Sequence, residues 1–376
     1  MNAWTRERLR ARAGPEKLLD LTQSNPTEAG VPYETERILA ALGDPRALRY
    51  QPEPLGLLSA REAISAEWNR LGVRVSPERI LVTASTSEAY GLLFKLLCDP
   101  GDEILVPAPS YPLFEHLARF EGVRAVPYAL GFDGAWFIDF ERLQAARTQR
   151  TRAVVVVSPN NPTGNYLRRE ELERLAALGL PLICDEVFAS YALRRPADAA
   201  RSALETEGTL VFALSGLSKL AALPQMKAAW LGVGGKGPEV DEALHRLEAM
   251  ADAYLSVGTP VQLALPELLA ARALAEGHIL LRLQENLAAL ERQVLGSALS
   301  ALPVEGGWYA VLRLPRTESE EAWALGLLLE QHVLAQPGYF YDFADEPFLV
   351  VSLLSDESDF EQGVERLVRH VRLHSA

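Results

Sequence analysis

Lysine is scarce in this chain of 376 residues, occurring only at positions 17, 95, 219, 227 and 236. If the chemistry needs a reactive amine, the search is short. Lys219 follows the apolar run TLVFALS (209–215) through a turn of small residues, Gly216-Leu217-Ser218. A lysine held near neutral pH is a nucleophile and exchanges readily with amines. Other apolar runs also end in polar clusters. ERILVTA (78–84) leads to Ser85-Thr86-Ser87, and DEILVPA (102–108) leads to Pro109-Ser110-Tyr111-Pro112. RAVVVVS (152–158) leads to Pro159-Asn160-Asn161-Pro162-Thr163-Gly164, and LPLICDE (180–186) ends in Asp185-Glu186. Asp185 closes an apolar run, where an unpaired carboxylate would be costly. Three hydroxyls at a helix start, with free backbone N–H groups and the helix dipole, favour an anion.

The apolar runs read as short strands, at 78–84, 102–108, 152–158, 180–186, 209–215 and 228–233. Helical patterns fall between them, at about 87–98, 112–120 and 168–179. Strands alternating with helices predict a mostly parallel sheet covered on both faces, with ligands beyond the carboxyl ends of its strands. After Gly235 the pattern changes to helices at 238–253, 261–275 and 277–300. A strand (307–315), a helix (319–334), a strand (348–354) and a final helix (358–372) follow. The expected division is an N-terminal arm (1–45) that joins the small domain, a large domain (46–255) and a C-terminal small α+β domain (256–376).

Hydrophobic residues make up 48% of the chain and charged residues 23%, an ordinary globular balance. The formal net charge of −13, with acids and bases mixed, argues against nucleic acid or an anionic membrane as partner. The sequence has no run of eighteen apolar residues and no apolar signal-peptide core at its start. Cys98 and Cys184 both sit in apolar runs and read as buried thiols in a reducing cytosol. No disulfide or metal framework is expected.

Taken in order, Tyr50-Gln-Pro-Glu-Pro-Leu-Gly56, TASTSEA (83–89), NNPTG (160–164), DEV (185–187) and SGLSK (215–219) resemble the class I/II aminotransferases. These share the aspartate-aminotransferase-like fold, pyridoxal-phosphate (PLP) fold type I. The resemblance spans nearly the whole chain. It implies an α/β large domain, with a mostly parallel sheet flanked by helices, plus a smaller α+β domain. It also implies PLP as cofactor, carried by Lys219 as a Schiff base. Asp185 then pairs with the protonated pyridine nitrogen and keeps the ring an electron sink. Tyr111 stacks on the ring, and Asn161 donates to the phenolic oxygen and reaches the substrate carboxylate. Asn25 and the position of Val350 join Asn161 on the substrate side. Ser85, Thr86, Ser87, Ser218 and Lys227 hold the phosphate. Tyr50 reaches the phosphate of the neighbouring subunit, which implies a homodimer with shared active sites.

The chain departs from the family pattern at three positions. Phe188 stands where a tyrosine usually donates to the phenolic oxygen. Lys227, in LPQMKAAW, replaces a phosphate-binding arginine and keeps the charge without the planar fork. Val350, in FLVVSLL, replaces the arginine that clamps the substrate α-carboxylate. Either Arg313 or Arg49 supplies a substitute, or the substrate is atypical. The expected reaction moves an amino group between an amino donor and a keto acid. A β/γ-lyase or decarboxylase on the same fold, or a non-catalytic PLP-binding protein, are the alternatives.

Overall fold

The four consecutive valines of Val154–Val157 show how the sheet is packed. Ala153, Val155 and Val157 bury into one cluster with Leu93, Phe212 and Leu247, while Val154 and Val156 bury into another with Leu143, Leu172 and Leu175. A strand covered on both faces must be apolar at every position, and this one is central. The computed structural model describes residues 3–345 and 347–375.

The apolar runs assemble into one eight-stranded sheet. Its spatial order is Ile80–Thr83, Ala229–Gly234, Val211–Gly216, Leu182–Asp185, Thr151–Val157, Glu103–Ala108, Arg124–Phe132 and Trp136–Ile138. The five strands from Val211–Gly216 to Arg124–Phe132 are parallel. Ala229–Gly234 runs antiparallel to both of its neighbours, and Trp136–Ile138 runs antiparallel at the far edge. The expected mostly parallel sheet is therefore present. The structure adds the edge pair Arg124–Phe132 and Trp136–Ile138 and the helices Ala3–Ala13 and Leu58–Arg70.

A second layer forms from both ends of the chain. Tyr309–Arg313 and Phe348–Ser352 pair antiparallel at the centre of a four-stranded sheet, backed by the helices Arg272–Val294, Glu320–Gln331 and Glu357–His374. Leu19–Asp20 pairs in parallel with Val333–Leu334. Ser352 donates its N–H to the Leu21 carbonyl at 2.7 Å, so the N-terminal segment is stitched to this layer. Trp4, Leu19 and Leu21 share a buried cluster with Trp323, Leu349 and Phe360. The helix Thr259–Ala270 packs elsewhere: its Ala264, Leu265 and Leu268 bury with Ile64, Ile80 and Trp230 against the large sheet. None of the described helices is long and apolar enough to cross a membrane.

Candidate active site

Parallel strands deliver their carboxyl ends to one rim of the sheet. The register puts Val157, Asp185 and Leu214 side by side there. Beyond this rim lies a cavity of about 340 Å³. Ser85, Thr86, Ser87, Tyr111, Asn161, Asp185, Phe188, Ser218, Lys219 and Lys227 all line it. Residues spread over 143 positions of sequence are thus gathered around one space.

Lys219 reaches the cavity because the strand Val211–Gly216 stops in a single helical turn, Leu217–Leu220. Gly216 makes the close approach before that turn: a Cβ there would meet the Ala229 Cβ at 2.8 Å. Tyr191 donates its hydroxyl to the Lys219 carbonyl at 2.6 Å, fixing the turn from below. The Lys219 Nζ sits 4.5 Å from the centre of the Trp308 ring and 5.5 Å from that of Phe188. Burial lowers its pKa to about 8, and only Asp185 acts in the other direction.

Asp185 is buried at the end of its strand. Its Oδ1 accepts the Val187 N–H and its Oδ2 accepts the Tyr90 hydroxyl, both at 3.2 Å. Burial raises its pKa to about 6 despite those two donors and Lys219. A carboxylate left at this cost wants a cationic partner from the cavity side. The neighbouring Glu186 points away. Its Oε1 accepts Ser202 Oγ at 2.9 Å and the Ala203 N–H at 2.7 Å.

The helix Thr86–Leu97 presents its N-terminus to the same space, with Ser85 as N-cap accepting the Glu88 N–H at 3.1 Å. The cap uses Ser85 Oγ; Thr86 and Ser87 line the cavity, and the first-turn N–H groups of a helix lack intrahelical acceptors. Lys227 adds its charge from a left-handed backbone position. Asn161 is buried, and its Oδ1 has no hydrogen-bond partner among the described residues. Its loop is held against the small domain: the Gly306 N–H donates to the Gly164 carbonyl at 3.0 Å, and Arg168 clasps Glu305. Gly164 has φ +74°, and a Cβ there would meet the Gly306 carbonyl at 2.8 Å.

An anion cradle, an aromatic wall at Tyr111, an orphaned amide, a buried carboxylate and a buried lysine fit one ligand chemistry. That ligand is an aldehyde carried on a protonatable ring with a phosphate tail. The residues present therefore fit PLP.

Five expected positions lie outside this cavity. Tyr50 is 83% exposed and lines a separate cleft with Gln51–Pro54 and Tyr254. Asn25 turns inward on its own loop, accepting from Thr27 N–H at 3.1 Å and Thr27 Oγ1 at 2.7 Å. Its neighbour Ser24 lines the cavity instead. Val350 is completely buried between Val311 and Gln336 in the small-domain sheet and does not reach the cavity. Tyr309, on the same sheet face, forms that wall, with Ser24 within hydrogen-bonding reach of its hydroxyl. Arg313 lines a different cavity with Arg142 and Arg316, and Arg49 is exposed. Among the described residues, no arginine lines the cavity around Lys219.

Tyr90, Ser24, Tyr309 and Trp308 were not apparent in the sequence. Only Tyr90 carried a usable signal, one helical turn beyond Thr86 on a helix whose start faces the site.

The fold is that of the PLP enzymes of fold type I. The chain belongs to the class I and II aminotransferases, whose family model matches residues 16–367. It is 30% identical over 331 residues to the aspartate/prephenate aminotransferase of Thermus thermophilus, covering 85% of this chain and 83% of that one. It is 24% identical over 378 residues to the glutamate-pyruvate aminotransferase AlaA of Haemophilus influenzae, covering 97% and 93%. The alanine aminotransferase structure from Pyrococcus furiosus superposes with a TM-score of 0.88 at 24% identity, covering 99% and 98%. The protein is a PLP-dependent aminotransferase.

Proposed function

We propose that Lys219 holds the cofactor covalently and moves the proton during amino-group transfer between a small-molecule amino donor and a keto acid. The convergence of Lys219, Asp185, Asn161 and the Thr86–Leu97 helix start on one cavity carries this reading. Bound there, PLP supplies the electron sink for breaking a bond at the donor's α-carbon. Asp185 would hold the ring nitrogen's proton by charge, Tyr111 and Val187 would contact the ring, and Thr86, Ser87 and Ser218 with Lys227 would bind the phosphate. Lys219, near neutrality through burial, is poised to take and return a proton. The low polarity contributed by Phe188 and Trp308 excludes water from that transfer. The acting unit is a homodimer in the cytoplasm, with Tyr50 completing the phosphate site of its neighbour.

The amino donor is one whose carboxylate is not clamped by an arginine from the small-domain sheet, since Val350 is buried and no arginine among the described residues lines the cavity. Borohydride reduction of the loaded enzyme and peptide mapping test the attachment. Label at Lys219 is expected; label at Lys227 or Lys236 overturns the assignment. A panel of amino donors, read by loss of the cofactor's visible absorbance and its return with keto acid, identifies the substrate class.

A further inference from the structure

On the small domain, far from the cofactor cavity in sequence, two histidines stand one turn apart on the helix Glu357–His374. The helix Glu320–Gln331 packs beside it and carries Glu330 near its end. His370 Nδ1 lies 3.4 Å, and His374 Nε2 3.6 Å, from the same oxygen, Oε2 of Glu330. The three candidate ligand atoms all lie within 4.8 Å of one another. None of the three residues lines the Lys219 cavity.

His370 is 2% exposed, and neither of its ring nitrogens has a hydrogen-bond partner among the described residues. Buried polar atoms are normally satisfied, and an orphaned imidazole needs a reason. Its Nδ1 faces Glu330, and its Nε2 faces the Gly326 backbone, where a Cβ would come within 2.9 Å of it. His374 is oriented differently. Its Nδ1 lies 2.9 Å from the His370 carbonyl, which sets that nitrogen as the N–H donor. The Nε2 lone pair then points at a carboxylate oxygen. Two lone pairs facing each other call for a cation between them. A backbone carbonyl holding the far nitrogen of a histidine is also the usual way that metal-ligating imidazoles are fixed.

The spacing matches a metal. Ligands held at about 2.0–2.2 Å around a tetrahedral ion lie roughly 3.4 Å apart, and two of the three edges here are 3.4 and 3.6 Å. Two imidazoles and one carboxylate are borderline donors, suited to zinc and its neighbours rather than to calcium or magnesium. Trp323 closes one side of the site, edge-on to both rings at 5.8 and 6.3 Å.

We propose that Glu330, His370 and His374 form a binding site for a divalent transition ion of the zinc type, which clips the C-terminal helix to the helix Glu320–Gln331. Water completes the coordination. The ion is structural, and amino-group transfer does not depend on it.

The test uses the PLP-loaded enzyme, stripped with EDTA, desalted and titrated with Zn²⁺ by calorimetry. Loading every sample equally cancels binding by the cofactor. One zinc per chain is expected, with a dissociation constant of about 10 µM or tighter. The unfolding midpoint should rise by roughly 3 °C at a hundred-fold excess of zinc over that constant. His374→Ala, at a partly exposed helix end, and Glu330→Gln, on the surface, are chosen because both should fold. Each should weaken the site at least tenfold, abolish the midpoint shift and leave amino-group transfer unchanged. Co²⁺ provides a second readout, with visible d–d bands in the wild type that His374→Ala removes. No zinc bound above background overturns the proposal, as does equal binding by the wild type and both variants.

Discussion

The residue that sets the energetics of the cavity is Asp185. The fold raises its pKa from the ordinary 3.8 to about 6, so folding favours the protonated acid. That contribution is complete below 3.8 and is lost as pH rises through about 6, a difference on the order of 3 kcal/mol. Between about 6 and 8 the charged Lys219 offsets part of the loss; above 8 the lysine is neutral and the carboxylate stands alone. Asp185→Asn should therefore raise the melting temperature of the cofactor-free protein at pH 9. In the loaded enzyme the same change should cost several orders of magnitude in the half-reaction, because the ring nitrogen loses its partner. A variant both unstable at pH 9 and fully active would refute the role. Phe188 supports a second test at this scale. It packs edge-on against Trp308 at 5.4 Å and Tyr309 at 6.2 Å and offers the cofactor's phenolic oxygen no donor. Phe188→Tyr should stabilise that oxygen as the anion and lower the pH midpoint of the loaded enzyme's visible absorbance. An unchanged or higher midpoint would mean that another donor already serves.

At the scale of elements, the strand ends were legible because burial on both faces writes itself as a continuous apolar run. Thr151–Val157, Leu182–Asp185 and Val211–Gly216 are of that kind, and polar residues at and after their ends line the candidate cavity. The strand Arg124–Phe132 was not legible: it lies near the sheet edge, mostly half-exposed, and contains Pro127 and Gly131. Nor could apolar runs reveal that Ala229–Gly234 runs antiparallel between two strands, since direction leaves no mark on composition. That pairing matters to Lys219. Gly216→Ala would push against Ala229 just where the lysine's turn begins, costing about 1–3 kcal/mol by overpacking. The variant should melt several degrees lower and bind PLP more weakly; unchanged melting and affinity would mean the close approach does not position the lysine. The strand Phe348–Ser352 is legible from its run; the structure seals Val350 inside the sheet, while Tyr309 lines the cavity. A missing bidentate clamp forgoes roughly 1.5–3 kcal/mol, one to two orders of magnitude in kcat/KM. Aspartate, glutamate and alanine should then be poor donors with high KM. An ordinary KM for any of them would mean that another arginine holds the carboxylate, to be sought with Arg313→Ala and Arg49→Ala.

At the scale of the whole molecule, the placement of Tyr50 leads to the last prediction. Its ring is 83% exposed, on a segment running from Tyr50 to Pro54 along a cleft separate from the Lys219 cavity. An aromatic side chain held out in solvent gains nothing from burial within its own chain. In the proposed dimer it would reach the phosphate group at the other subunit's helix start, where Ser85 to Ser87 line the cavity. Each active site would then draw on both chains. The consequence is a complementation that a monomer, or a dimer with self-contained sites, does not show. Lys219→Ala removes the attachment point and Tyr50→Phe removes the distal hydroxyl, so each homodimer carries two damaged sites. In a hybrid, one site carries both defects and the other carries neither. Mixing the two inactive proteins under conditions that exchange subunits should restore activity, up to about a quarter of the wild type at equal mixing, where half the dimers are hybrids with one intact site each. Exchange verified by mass tags without any recovery would count against the shared site. Recovery by Tyr50→Phe alone, with no partner added, would show that the hydroxyl is dispensable and that phosphate binding rests on the helix start and Lys227.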